Sequence, residues 1–89
     1  MTILKNATAG TMESSDIMVL VSPFSEGIQI ELESSVYSQF GEQILDMIRS
    51  VAEEENVDKV YIKAHDFGAL DCTIRARVKT ALERASKEV

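Results

Sequence analysis

The 89 residues carry 15 acidic against 9 basic side chains, a net charge of −6, which makes a nucleic-acid backbone a poor partner because that contact needs clustered Lys and Arg. A hydrophobic fraction of 45% and a charged fraction of 27% set aside disordered and low-complexity classes, and the length allows one domain, 1–89, with a single core. The lone Cys72 excludes an internal disulfide and a thiolate-rich metal site, the lone His65 has no second His or Cys nearby to share an ion, and the glycines at positions 10, 27, 41 and 68 stand too far apart for a phosphate loop.

The opening run Met1-Thr2-Ile3-Leu4-Lys5-Asn6 lacks the basic, apolar and cleavage-site order of a signal peptide, and no apolar run approaches the roughly 20 residues of a membrane helix. A cytoplasmic protein with no membrane partner is expected. Thr8 to Glu13 reads as a first strand and Ile17 to Val21 as a second. Between them the small polar residues of Ala9 to Asp16 predict a hairpin with Ser14-Ser15 at its tip, since Ser, Asp and Gly let the backbone reverse. Ser14, Ser15 and Asp16 are on this basis turn residues that face solvent.

Ile17-Met18-Val19-Leu20-Val21 is apolar at odd and even positions, as in a strand that lies centrally or is covered on both faces, and Pro23 ends it. Ile28 to Glu33 alternates strictly, placing Ile28, Ile30 and Leu32 on a core face and Gln29, Glu31 and Glu33 in water. With a turn at Gly27, the three strands are expected to form an antiparallel meander. Ser34 or Ser35 is placed to cap a helix in which Val36, Phe40, Ile44, Met47, Ile48 and Val51 recur at helical spacing. Gly41 in that helix costs about 1 kcal/mol relative to Ala; it marks a close approach to another backbone or is tolerated without purpose.

Asn56 is the expected stop of this helix, and Glu53, Glu54 and Glu55 form either a solvated helix end or a patch for partner subunits. Val57 to Ala64 reads as a fourth strand with Val60 and Ile62 inward, and the strand, helix, strand passage predicts a right-handed crossover to a parallel neighbour. After the break at Asp66-Phe67-Gly68 a second helix carries Leu70, Ile74, Val78, Ala81, Leu82 and Ala85 as its buried stripe. The expected architecture is an α+β two-layer domain: a mixed sheet of about four strands with two helices on one face.

The chemical candidates are few. Cys72 falls away from most of the second helix's stripe and has only Arg75 near it to lower its pKa, so a packing or incidental cysteine is expected. Asp71 and Arg75 have the spacing of an i,i+4 pair. Arg75 and Arg77 flank the stripe as ordinary helix charges or as holders of an anionic group or a partner. His65 beside Asp66 looks like half of a dyad, but neighbours on a strand point to opposite faces. No nucleophile has a base and an orienting third group, and no carboxylate pair is spaced for acid and base work. A chain that is not itself an enzyme is expected.

The run Gly10-Thr11-Met12-Glu13-Ser14-Ser15-Asp16, with Met18 following, resembles the prosthetic-group attachment segment of the acyl carrier (gamma) subunits of citrate lyase. Gly68-Ala69-Leu70-Asp71-Cys72-Thr73-Ile74-Arg75-Ala76-Arg77 resembles a second signature of that family, and Ser34-Ser35-Val36 and Gln39-Phe40-Gly41 match between the two. The chain departs at Ser15, where the family often has Gly, and in a shorter C-terminal tail. The resemblance implies that Ser14 carries 2'-(5''-phosphoribosyl)-3'-dephospho-coenzyme A through a phosphodiester. The thiol of that group would hold acetyl or citryl as a thioester while citrate is cleaved to acetate and oxaloacetate.

Implied partners are the alpha (acyl transferase) and beta (citryl lyase) subunits and the transferase that attaches the group. Alternatives are the carrier subunit of malonate decarboxylase, which uses a related group, the carrier of citramalate lyase, and an unmodified interaction or regulatory domain. Glu13 and Asp16 would surround the phosphodiester with like charge and keep the arm mobile and off the surface. The ordinary helical acyl carrier bundle is excluded, because its Asp-Ser-Leu site is absent and strand-period segments do not form a bundle.

Overall fold

The computed structural model describes residues 1–87. In chain order they form strands β1 (Ala7–Ala9), β2 (Ile17–Pro23) and β3 (Ile28–Ser34), helix α1 (Tyr37–Glu54), strand β4 (Val60–Asp66) and helix α2 (Asp71–Ser86). The sheet order is β1-β2-β4-β3. β2 pairs antiparallel with both β1 and β4, while β3 pairs parallel with β4.

The expected mixed sheet and the parallel β3-α1-β4 crossover are both present, but the three-strand meander is not. β4 takes the place beside β2 and separates it from β3. The patterning of the strands accounts for this. β2 buries Ile17, Val19 and Val21 completely and keeps Met18 and Leu20 half-buried on its other face, and β4 buries Val60, Ile62, Ala64 and Asp66. β3 offers only half-buried Ile28, Ile30 and Leu32 alternating with exposed Gln29, Glu31 and Glu33. Two strands with fully buried inner faces occupy the centre, and the half-polar strand takes the edge, where less apolar area has to be covered.

Both helices lie on one face, α1 against β3, α2 against β1 and β2, and each against the other. Ile44, Ile48, Val51 and Ala52 from α1 meet Ile74, Val78, Ala81, Leu82 and Ala85 from α2 in a single core with the sheet's inner side chains. Each large side chain so buried contributes about 1.5–3 kcal/mol. The opposite face of the sheet, with Met18, Leu20, Tyr61, Lys63 and His65, has no helix over it, so β2 is central but is not covered on both sides. No described helix is long and apolar enough to cross a membrane.

The helix ends refine the expected caps. Ser34 Oγ accepts from the Val36 amide at 3.2 Å and donates to Asp66 at 2.9 Å, so it ties a turn before the helix; the N-cap itself is Val36, without a side-chain bond. Asn56, at φ 58°, ends α1 as expected, with Val57 N–H donating to Ala52 O in the Schellman pattern. A Cβ on buried Gly41 would meet the Tyr37 ring at 2.8 Å. The close approach is to an aromatic side chain one turn earlier, not to another backbone.

Candidate functional site

The connection from β1 to β2 is longer than a tight hairpin. β1 stops at Ala9, and residues 10–16 leave the ladder because Gly10 stands at φ 91°, where a side chain would collide with the Ile17 carbonyl. Glu13 to Asp16 then form a turn, closed by Asp16 N–H donating to Glu13 O at 3.2 Å. Ser14 is its second residue and is exposed. Ser15 is its third, at φ 65°, a position that usually takes Gly because of the positive φ. The preference for Gly that the resemblance implies at Ser15 therefore has a conformational cause.

Asp16 holds this loop in shape. Its Oδ2 accepts from Thr11 N–H (3.1 Å), Thr11 Oγ1 (2.7 Å) and Arg77 Nη2 (3.0 Å), and its Oδ1 accepts from Ile17 N–H (2.7 Å) and Arg77 Nε (3.0 Å). Thr11 Oγ1 in turn accepts from Glu13 N–H at 3.2 Å. The fork of Arg77 matches the carboxylate with two parallel bonds. Its hydrogen bonds, with those from Thr11 and Ile17, hold the Asp16 carboxyl well below the usual carboxylate range. None of the bonds that fix the loop uses the Ser14 hydroxyl.

Asp16 was expected to face solvent and to repel a phosphodiester, but it is buried at 8% exposure and neutralised by Arg77. Glu13 alone remains as exposed negative charge beside Ser14 on the loop. Arg77 in turn is engaged by Asp16 and serves the loop from below. The bonds that the Asp16 carboxylate accepts from Thr11 and Ile17, close in the chain, had a local signal in the turn residues. Its partner 61 residues away had none.

The remaining candidates separate from the site. Arg75 does not pair with Asp71; it binds Glu54 across the helices, at 2.7 Å to Oε2, which lowers the Glu54 carboxyl's pKa and raises that of the guanidinium. Of the Glu53 to Glu55 run, one member is thus a clamp between α1 and α2. His65 and Asp66 point to opposite faces as expected: His65 is half-exposed outside, and Asp66, 1% exposed, accepts from Ser34 Oγ and from Ala69 N–H inside. Tyr61 on the outer face donates its hydroxyl to Glu31 at 2.6 Å, which raises the phenol's pKa. Cys72 is exposed and unbridged. No cluster of three metal-ligating side chains occurs among the described residues.

The sheet register puts several elements at the Ser14 end. Ile17 of β2 and Ser34 of β3 both lie opposite Asp66 of β4, so the β1-β2 loop, the start of α1 and the β4-α2 loop converge there. The exposed large apolar side chains Met12, Tyr37, Phe40 and Leu70 all belong to these segments, whereas Met1 and Leu4 are tied to Asn56 and Ala85 at the far ends of the helices. Sequence reading missed this gathering, because the four residues lie far apart along the chain.

Comparison with known proteins gives a consistent family. Residues 4–85 match the family described as malonate decarboxylase delta subunit (MdcD). A citrate lyase acyl carrier protein of Halothermothrix orenii is 56% identical over 87 residues, covering 98% of this chain and 93% of that one. A protein of the same name from Latilactobacillus sakei is 54% identical over 88% of this chain and 77% of its own. Among solved structures, a chain of a Pseudomonas malonate decarboxylase hetero-tetramer superposes with a TM-score of 0.82 at 24% identity, over 94% of this chain and 87% of that one, which supports the fold.

Proposed function

The chain belongs to the citrate lyase acyl carrier protein family, and on that premise we propose that residues 1–89 are a single acyl-carrier domain of a cytoplasmic citrate lyase complex, with Ser14 as the attachment point of its prosthetic group. The observation that carries the assignment of Ser14 is its position: an exposed hydroxyl, second in a turn that Asp16 and Arg77 brace from below, uncommitted to the bonds that shape the loop. A serine so placed can enter the active site of a modifying enzyme without unfolding anything.

The group named by the family resemblance, 2'-(5''-phosphoribosyl)-3'-dephospho-coenzyme A, fits a single phosphodiester at this hydroxyl and supplies a thiol that holds acetyl or citryl. The chain's own residues do the rest by placement. Gly10, Thr11 and Asp16 set the loop, and the apolar Met12, Tyr37, Phe40 and Leu70 around it give the alpha, beta and attaching subunits a surface to meet. Tethering makes each acyl transfer effectively intramolecular, at millimolar effective concentration for a short flexible link. Bond cleavage belongs to the partner subunits; the carrier itself is not an enzyme.

The malonate decarboxylase reading draws on the matched family description, and the identities of 54–56% to citrate lyase carriers favour the first reading. Reconstitution with the partner subunits and the attaching enzyme tests it: Ser14→Ala should abolish both incorporation of the group and citrate cleavage, while Ser15→Ala leaves both in place. Normal citrate cleavage by the Ser14→Ala complex would remove the carrier role and leave an interaction domain.

A further inference from the structure

The face of the sheet that no helix covers holds a ring pair that the carrier role does not use. His65 and Phe67 stack with ring centroids 4.2 Å apart and planes inclined by 24°. His65 stands on the uncovered face of β4, and the Phe67 ring, from the first residue beyond the strand, leans against it. Phe67 directly follows the last residue of β4, Asp66, at the end of the sheet that carries Ser14. Both residues are half-buried.

Phe67 is also pinned to the loop. Ser15 N–H donates to Phe67 O at 2.8 Å and Phe67 N–H donates to Asp16 O at 2.9 Å, so Ser14 is the chain neighbour of a residue bonded to Phe67. Two residues before His65, on the same face, stands exposed Lys63. Its register partner Glu31 accepts the Tyr61 hydroxyl, and Lys63 makes none of the ion pairs among the described residues. Glu33, the register partner of His65 on β3, has its carboxylate 3.9 Å from His65 Nδ1.

We propose that Phe67, backed by His65, is a stacking shelf for the purine base of the nucleotide group attached at Ser14, with Lys63 the cation available to its phosphates; the inference rests on the carrier reading above. An aromatic ring accepts any base on its π-face, and such stacking shifts the ratio of docked to free by roughly 5- to 150-fold. The tether adds millimolar effective concentration. Phe67, His65 and Lys63 thus park the nucleotide against the sheet between encounters and leave the thiol end outside.

The test is NMR of the aromatic and lysine side chains in unloaded and Ser14-loaded protein, with intact mass fixing the loading state. Loading should shift Phe67 and His65 ring resonances upfield and move the Lys63 side-chain signal, and Phe67→Leu, loaded with the same mass increase, should lose the His65 shift. Loaded wild-type protein whose Phe67, His65 and Lys63 signals superpose on the unloaded ones would overturn the shelf, whatever the variant does. If the mass shows that Ser14 takes no group, the carrier reading fails separately. Free dephospho-coenzyme A at millimolar concentration then decides the shelf on the unloaded chain: shifts at the same three residues retain it as a nucleotide site, and none removes it.

Discussion

Asp16 decides the shape of the loop that bears Ser14, and its chemistry fixes how the loop answers to pH. Hydrogen bonds from Arg77, Thr11 and Ile17 depress its carboxyl pKa in the folded protein, against about 3.9 for an unstructured Asp. A depressed folded value means stability that is present in full above the unfolded pKa and lost as pH falls toward the folded one. Asp16→Asn should therefore be less stable than wild type near neutral pH, and the difference should shrink below about pH 4; urea unfolding at several pH values measures it, and a gap that stays constant down to pH 2 would contradict the assignment. Gly10→Ala should cost at least about 2 kcal/mol, from the forbidden φ and the collision with the Ile17 carbonyl. Ser15→Gly should go the other way, gaining up to about 1 kcal/mol as the left-handed strain at φ 65° outweighs glycine's added chain entropy. Chemical denaturation reads both.

Among the elements, α2 is tied to both ends of the argument: Arg75 clamps it to α1, and Arg77 reaches the loop that bears Ser14. Arg77→Met should keep the helix's core contacts and free the loop, so that hydrogen exchange at the Thr11 and Ile17 amides rises at least several-fold while Val78 and Leu82 stay protected. Unchanged exchange at Thr11 would mean that the loop holds without the arginine. What the sequence made legible here was segment type: the strict alternation of β3, the doubly apolar β2, the Asn56 stop and the 3.6-residue stripes of both helices were readable locally, except that Phe40 and Leu70, expected on those stripes, stand exposed at the helix starts. The strand order was not, because Gly27 signals a turn but not which neighbour the next strand takes. β4, arriving by way of α1, fills the position beside β2 with a fully buried inner face that β3 could not supply. The Asp16–Arg77 and Glu54–Arg75 bonds escaped for the same reason, since each joins residues that only the assembled fold brings together.

On the scale of the whole molecule, the four apolar side chains at one end of the sheet stand around the loop that carries Ser14. Phe40→Ser with Leu70→Ser should lower the efficiency of group attachment about 5- to 10-fold or more, as removal of interface anchors does, with little change in thermal unfolding because both side chains are already exposed. Leu4→Ser at the opposite end is the control and should leave attachment unchanged. The β1 edge is partly closed by Arg84 Nη1 donating to Thr8 O at 2.9 Å, and the other edge carries Glu31 and Glu33, charges of the kind that discourage strand-to-strand association. On the proposed reading, carrier and complex meet at the Ser14 end. The central claim is tested most directly by the intact mass of the protein isolated from cells fermenting citrate, with peptide mapping across Gly10 to Asp16. The account predicts a mass increase equal to phosphoribosyl-dephospho-coenzyme A, located on Ser14; protein of unmodified mass from those cells, or the added mass on any other residue, would contradict it.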